Sequence, residues 1–359
     1  MSAVAPNVPI PPAASGGGAR APRRPRRLPW ARSARLLLVW GLLAALLAVY
    51  VSQAPQFRPR EQRTLVNSGA TLALAGLGQT LVVLTGGIDL SVGPMVGLSN
   101  SLASAVTDKS KPDGNMPLAA ALALGVGAAG GLINGALVAY GRLQPIIVTL
   151  ATASVWTGIA LYLRPTPGGF FPPGFSEALT GTAFQLQPLQ LPFGLVWSTP
   201  MPKALFLILG LVLFWLVFRR TRLATRIYAV GSSEGAAYMS GVDVARAKLA
   251  AYTLAGLAAG GAGLVASAQT ATGNALAGNV FTLNSIAAVV LGGASLAGGA
   301  GTWMGTLAGA YVIALIPSVL FFYGVSPFYQ QLFQGSILLV AVAIGALGIL
   351  RVRNRLERL

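Results

Sequence analysis

Apolar residues along this chain neither alternate with polar ones nor form narrow stripes. They run in unbroken blocks, most of them about 16 to 22 residues long, the length that crosses a bilayer core. Ten blocks can be drawn: 36–51, 65–84, 94–106, 117–140, 145–163, 204–218, 249–267, 283–296, 302–320 and 329–350. Strands of a transmembrane barrel would be about 10 residues long and strictly alternating. Runs such as 205–217 do not alternate, so the spans read as helices. The pattern predicts an all-α polytopic membrane protein with about ten transmembrane helices over 36–350. The third block is short unless its flanks join it, and blocks two and three read equally as a hairpin or as one broken helix. Blocks eight and nine are parted only by Gly-rich sequence. Two stretches do not span: a Pro- and Gly-rich segment, 164–203, and a polar segment, 219–248.

Charge adds an orientation. Only 9% of the residues are charged, against about 25% in a soluble domain, yet the formal net charge is +17. A nucleic-acid partner is excluded, because no soluble domain exists to display a basic face. With ten spans, 18 of the 25 cations fall on the side of the two termini and 7 on the other. That asymmetry predicts cytosolic termini in the plasma (bacterial inner) membrane, with 164–203 outside and 219–248 inside. An odd number of spans would put the C-terminal arginines of 351–359 outside. Residues 1–35 read as a disordered basic cytosolic tail that orients the first span or touches anionic membrane lipid. A competing reading is a cleaved secretory signal ending at Ser52-Gln53-Ala54, which would leave nine spans.

The membrane interior is nearly free of charge. Of eight acids only Asp89 lies near membrane depth, whereas ion-coupled carriers and proton pumps keep several ionisable groups inside. A path lined by Ser, Thr, Asn and Gln suits a neutral, hydroxyl-rich solute. Asn134 and Asn284 are candidates for such a path, or bond only between helices. Glycines at four-residue spacing (127, 131, 135; 256, 260; 301, 305, 309) predict close helix packing, in a tight bundle or at a helical seam between subunits. The chain has no Cys and no His, so neither a disulfide framework nor a Cys/His metal site is available. No cofactor is expected and no catalytic cluster is apparent.

Two segments carry more than packing. Thr85-Gly86-Gly87-Ile88-Asp89-Leu90-Ser91-Val92-Gly93-Pro94 ends one helix at its glycines and starts another, with Gly93-Pro94 reading as an N-cap followed by Pro at the first helical position. Gly87, Asp89, Ser91 and Gly93 then mark either a helix break on the translocation path or a structural turn capped by Asp89. In the polar segment, Ser232 or Ser233 caps a short helix, Glu234 suits its first turn, and Gly241 stops it. Ala236, Ala237 and Ser240 lie on that helix, which has little of its own chain to pack against. It meets a soluble partner or lies on the membrane surface. No G-x-x-x-x-G-K-[ST] occurs, so any ATP that drives transport binds another chain.

Gly87-Ile88-Asp89-Leu90-Ser91-Val92-Gly93, the cytosolic stretch 227–242 and the Gly-rich run 286–299 together resemble the permease subunits of ribose-type ABC sugar importers. The resemblance spans roughly 36–350. Ser233 stands where the family often has Asn, Ala224-Thr225 replaces a usual Gly-Arg, and Pro94 replaces a small residue. The basic tail and 164–203 are longer than usual. The resemblance implies the ABC importer permease fold and a channel made of two permease chains, identical or paralogous. It also implies an extracytoplasmic sugar-binding protein, and cytosolic ABC ATPase subunits docked around 233–242.

Three classes compete: an ATP-driven permease subunit, an ion-coupled secondary carrier, and a membrane-embedded transferase. The last two lack intramembrane ion sites and reactive clusters respectively. Because the chain has no native Cys, single-Cys labelling tests the topology directly. Cys at Glu234 is expected to label only from the cytosol and Cys at Phe175 only from outside; labelling of both from one side would break the ten-span arrangement.

Overall fold

A computed structural model describes residues 29–53, 59–111, 113–183, 189–190, 196–197 and 201–326, with scattered positions between 328 and 339. Twelve helices are described: α1 (Pro29–Gln53), α2 (Pro59–Leu84), α3 (Val92–Val106), α4 (Met116–Ala139), α5 (Pro145–Leu163), α6 (Pro173–Thr180), α7 (Lys203–Phe218), α8 (Arg222–Ser232), α9 (Glu234–Met239), α10 (Val244–Thr270), α11 (Asn279–Leu291) and α12 (Trp303–Phe322). A two-residue ribbon, Leu189–Gln190 against Val196–Trp197, interrupts the connection from α6 to α7. The chain is an all-α membrane protein. Residues 1–28, most of the tenth block and 351–359 lie outside the described residues.

Nine of the ten blocks coincide with helices, but they are not equivalent spans. Among the described residues, five helices have the length and hydropathy to cross a bilayer: α2 from Arg63, α4, α5, α10 and α12. The pair α7–α8 passes the same test together but is bent by 76°. α1 starts at Pro29, so the last seven residues assigned to the disordered tail are helical; Pro suits a first helical position, and neither Pro nor Gly follows it before Gly41. α3 and α11 have 15 and 13 residues, about 22 and 20 Å of rise, short of the roughly 30 Å hydrocarbon core.

The packing explains why short helices survive. α2 and α3 are central, with α2's span 89% buried, and α3 is buried from Val92 to Ser101. α4 and α5 lie outside them, only 33% and 28% buried, and present Leu122, Ile133, Ile147 and Leu150 outward. The most extensive helix contact joins α4 to α10. There the four-residue glycine spacing works within the chain: a methyl group on Gly131 would overlap the Tyr252 carbonyl oxygen, and one on Gly256 the Gly127 carbonyl oxygen. Gly305 and Gly309 bring α12 onto Gly292 and Ala288 of α11 in the same way.

Two stretches of non-helical backbone adjoin α3. Residues 85–91 join α2 to α3, and 271–278 join α10 to α11. The first differs in detail from the expected cap. α3 begins at Val92, with Ser91 as its N-cap residue, so Pro94 is its third residue. Pro is tolerated there because the first-turn N–H groups have no helical acceptor. The second stretch was not anticipated; α11 starts at Asn279, four residues before the eighth block, and stops at Leu291, five before its end.

If the α4–α10 glycines are contact points, Gly131→Val should destabilise the folded protein by about 1–3 kcal/mol or more. Gly125→Ala, where nothing lies within 4 Å, should be neutral or slightly stabilising. Thermal melting in detergent reads both, and equal effects would count against this packing.

Candidate functional site: a helix break tied to an exposed helix pair

The α2–α3 break is held by a polar knot. The Ser91 backbone N–H and hydroxyl both donate to Asp89 Oδ1, at 2.8 and 2.6 Å. The Asn134 amide of α4 donates to Ser91 Oγ at 2.8 Å. From α5, Thr149 Oγ1 accepts the Leu90 N–H at 3.0 Å and donates to the Pro145 carbonyl at 2.9 Å. From α2, Gln79, with its amide turned to satisfy both partners, donates to the Asp89 carbonyl at 2.9 Å and accepts the Asp89 N–H at 3.3 Å. Asp89, Ser91, Asn134, Gln79 and Thr149 are all buried. A break in an apolar bundle survives only when its freed backbone groups and side chains find partners. Here three helices supply them.

Two polar atoms at the knot are buried without a partner among the described residues, Asn134 Oδ1 and the Tyr252 hydroxyl. A Cβ on Gly87 would stand 2.6 Å from that hydroxyl, so the break passes directly beneath it. A crevice bounded by Asp89, Ser91, Asn134, Met95 and Gly256 leaves no room for a water molecule. Among the described residues no group of three or more acids could hold a metal ion. The knot has one carboxylate engaged by neutral donors, an arrangement suited to fixing a backbone.

Gly87, Asp89, Ser91 and Asn134 are thus brought together. Gly93 is directed elsewhere: a methyl there would meet Thr282 and the Gly278 carbonyl of the second break. Asn284, half-buried on α11, shares no hydrogen bond with the knot. Gln79, Thr149 and Tyr252 did not stand out in the sequence. Gln79 and Thr149 were visible only as polar residues inside apolar blocks, and Tyr252 carried no signal.

The exposed pair is α8 and α9. Ser232 is the last residue of α8, and Ser233 is the cap of α9, its hydroxyl accepting the Ala236 N–H at 3.4 Å. Gly241 takes a left-handed φ of +76° after α9 ends, a conformation without penalty only for glycine. Glu234 pairs with Lys248 at 2.7 Å. Ala237 does find its own chain, packing with Val230 and Ala247. Ser233, Glu234, Ala236, Ser240 and Gly241 remain exposed, as do Tyr238 at 71% and Met239 at 84%.

Backbone contact joins the pair to the break. A methyl on Gly231, near the end of α8, would overlap the Leu84 carbonyl oxygen that ends α2 and stand 2.6 Å from the Gly299 nitrogen. That carbonyl accepts the Gly299 N–H at 3.1 Å. Gly298, with φ +87°, lies against Gly86 and the Gly231 carbonyl. Tyr228 Oη donates to the Gly301 carbonyl at 2.7 Å, and Trp215 Nε1 to Thr302 Oγ1 at 3.1 Å. The three sequence segments singled out separately therefore meet at one junction.

A helical bundle with a nearly uncharged interior, and with a buried helix break tied to an exposed helix pair, fits a multi-pass membrane permease. The comparisons are specific within that class. Residues 63–342 match the family model described as branched-chain amino acid transport system / permease component. The ribose import permease protein of Escherichia coli (strain K12) is 37% identical over 79% of this chain and 83% of its own length. That of Bacillus subtilis (strain 168) is 35% identical over 85% and 90%. The D-allose transport system permease protein of Escherichia coli (strain K12) is 33% identical over 85% and 90%. No solved structure matches the chain. The chain belongs to this permease family, among the permease subunits of ribose-type ABC sugar importers.

Asp89→Ala removes the acceptor of two buried donors and should lower stability by about 1–3 kcal/mol for each donor left unpaired. Asp89→Asn, which keeps an acceptor oxygen, should lose distinctly less. Melting in detergent distinguishes them, and equal losses would show that Asp89 does not hold the break.

Proposed function

We propose that this chain is the membrane-spanning subunit of an ATP-driven importer that moves a neutral sugar, a ribose-like pentose or a hexose, into the cytosol. The observation that carries this reading is the junction at Leu84, Gly231 and Gly299. It supplies a stiff path from an exposed helix pair to a buried break, which a subunit driven from outside the membrane requires. Cytosolic ABC ATPase subunits would dock on Ser233, Glu234, Ala236, Ser240 and Gly241, with Tyr238 and Met239 beside them, while Ala237 anchors α9. An extracytoplasmic sugar-binding protein would deliver the cargo to the α6 face. A second permease chain, identical or paralogous, would complete the channel. Gly87, Asp89, Ser91 and Asn134 would set the helix break beside the path, with Gly93 packed on the second break.

The charge partition supports cytosolic termini in the bacterial inner membrane, and it supports α8 and α9 on the cytosolic side. Relatives named for ribose, D-allose and galactose or methyl galactoside import support a sugar as cargo. For the outside label, Glu177 is a better position than Phe175, because the Phe175 ring is half-buried and stacked on Phe171 at 5.7 Å.

Reconstitution in liposomes with the binding protein and ATPase tests this reading. Sugar uptake should require ATP and survive collapse of ion gradients; uptake driven by a gradient without ATP would identify an ion-coupled secondary carrier instead. Glu234→Arg places a cation beside Lys248 on the docking face. This charge reversal should lower ATP-coupled uptake about tenfold, the loss that about 1.4 kcal/mol of docking energy brings, while membrane insertion stays normal. Unchanged coupling would show that the ATPase docks elsewhere.

A further inference from the structure

The second break lies deep in the bundle. Ser99 Oγ of α3 donates to the Ala123 carbonyl of α4 at 3.1 Å, and the Met95 side chain fills the space beside Gly130. Residues 95–99 of α3 are therefore level with 123–130, the middle of the 24-residue α4. Gly278 sits against the Gly93 carbonyl and the Gly97 nitrogen, and Gly97 against the Ala275 carbonyl. The backbone from 271 to 278 thus descends without helix to about the bundle midplane, where α11 starts.

Part of this backbone is well supported. Asn100 donates to Ser267 Oγ at 2.7 Å and to the Thr272 carbonyl at 3.1 Å, and its Oδ1 accepts the Asn274 N–H at 2.5 Å. Gly273 and Gly168 exchange backbone bonds of 2.8 and 2.9 Å. The other side is open. Asn279 is exposed, Thr272 is half-buried, and Leu276 is exposed. The Asn279 side chain makes no hydrogen bond to any described residue. Open, irregular backbone with a free amide at mid-depth cannot face hydrocarbon; such backbone is found only within protein or beside water. Discontinuous helices of this kind border substrate paths in carriers.

We propose that 271–278 and the first turn of α11 line the aqueous path of the cargo, with the Asn279 amide and the Thr272 hydroxyl meeting sugar hydroxyls. This rests on the reading of the chain as a sugar permease. It adds residues from a segment that the α2–α3 break does not include. An amide offers both donor and acceptor, and a hydroxyl does too, which matches a cargo whose every OH is both.

The test uses Asn279→Cys and Thr272→Cys in the otherwise Cys-free full chain, reconstituted with its partners. A charged, membrane-impermeant thiol reagent should modify both at least about tenfold faster than Leu213→Cys, whose native Leu is 63% exposed on the outer face of α7; a thiol in hydrocarbon stays protonated and unreactive. Binding protein loaded with D-ribose, D-allose or D-galactose should slow modification of at least one position for at least one of the three. Rates no faster than at Leu213 in both variants would overturn the proposal, showing that lipid, the 329–350 block or a second copy covers this face. Fast modification with no protection by any sugar would overturn the sugar contact. Neither result depends on the energy source, so a failure here is separable from a failure of ATP-driven uptake.

Discussion

The Leu84 carbonyl oxygen is the last acceptor of α2, and the helix leaves it without an intrahelical donor. The Gly299 N–H fills that place from the turn between α11 and α12, while Gly231 of α8 lies across it with no space for a methyl group. Backbone touching backbone at three glycines leaves no side chain to rotate or compress. Displacement of α8 toward the end of α2 must therefore push Leu84 or the 298–299 turn with it. The same turn is held on its other side by Tyr228 and Trp215, so α7 and α8 share in that constraint.

Five residues beyond Leu84 the chain reaches Asp89, so the junction and the polar knot are two ends of one short segment. Gly86, with φ +85°, supplies the only positive-φ residue between them, and Thr85 Oγ1 closes the turn on the Val82 carbonyl at 2.7 Å. At the far end Gln79, Asn134 and Thr149 hold the backbone from three directions. A segment pinned at both ends moves as a unit. Among the described residues no cation faces Asp89, so its burial is offset only by the neutral donors that hold it.

Much of this was legible beforehand, and the limits have clear causes. Unbroken apolar runs located α2, α4, α5, α7, α10 and α12 to within a few residues, because a membrane helix must be apolar along its length whatever it packs against. Glycine spacing in α4, α10 and α12 indicated close approach, which the Gly131 and Gly305 contacts show. The Asp89 break and the α8–α9 pair were visible because Gly, Asp and Ser are costly inside a span. Hydropathy marked the third block as short, as α3 is, but drew the eighth four residues late, because the polar Asn279 and Thr282 of α11 carry no apolar signal. The cap expected at Gly93-Pro94 was displaced to Ser91 by the Asp89 turn, a local competition that spacing could not resolve. Gln79, Thr149 and Tyr252 depend on which helices meet, and that information is not local.

The two breaks also differ in a way that bears on how such a bundle works. The first is closed: its polar groups are buried, its crevice is too tight for water, and its backbone is held from α2, α4 and α5. The second is closed on the α3 side by Asn100 and open on the other, where Asn279 and Thr272 lie. The two meet through Gly93 and Gly97, whose missing side chains let 275–278 lie directly on α3. α3 is thus a short buried strut, held at its start by the Asp89 knot and touching the open segment along its first turns. Between the knot and the open segment α3 provides a short path of packed glycines, with no charged group along it. Its 15 residues and the break before it together lead from the Leu84 junction to Thr107, which bonds the Phe170 carbonyl.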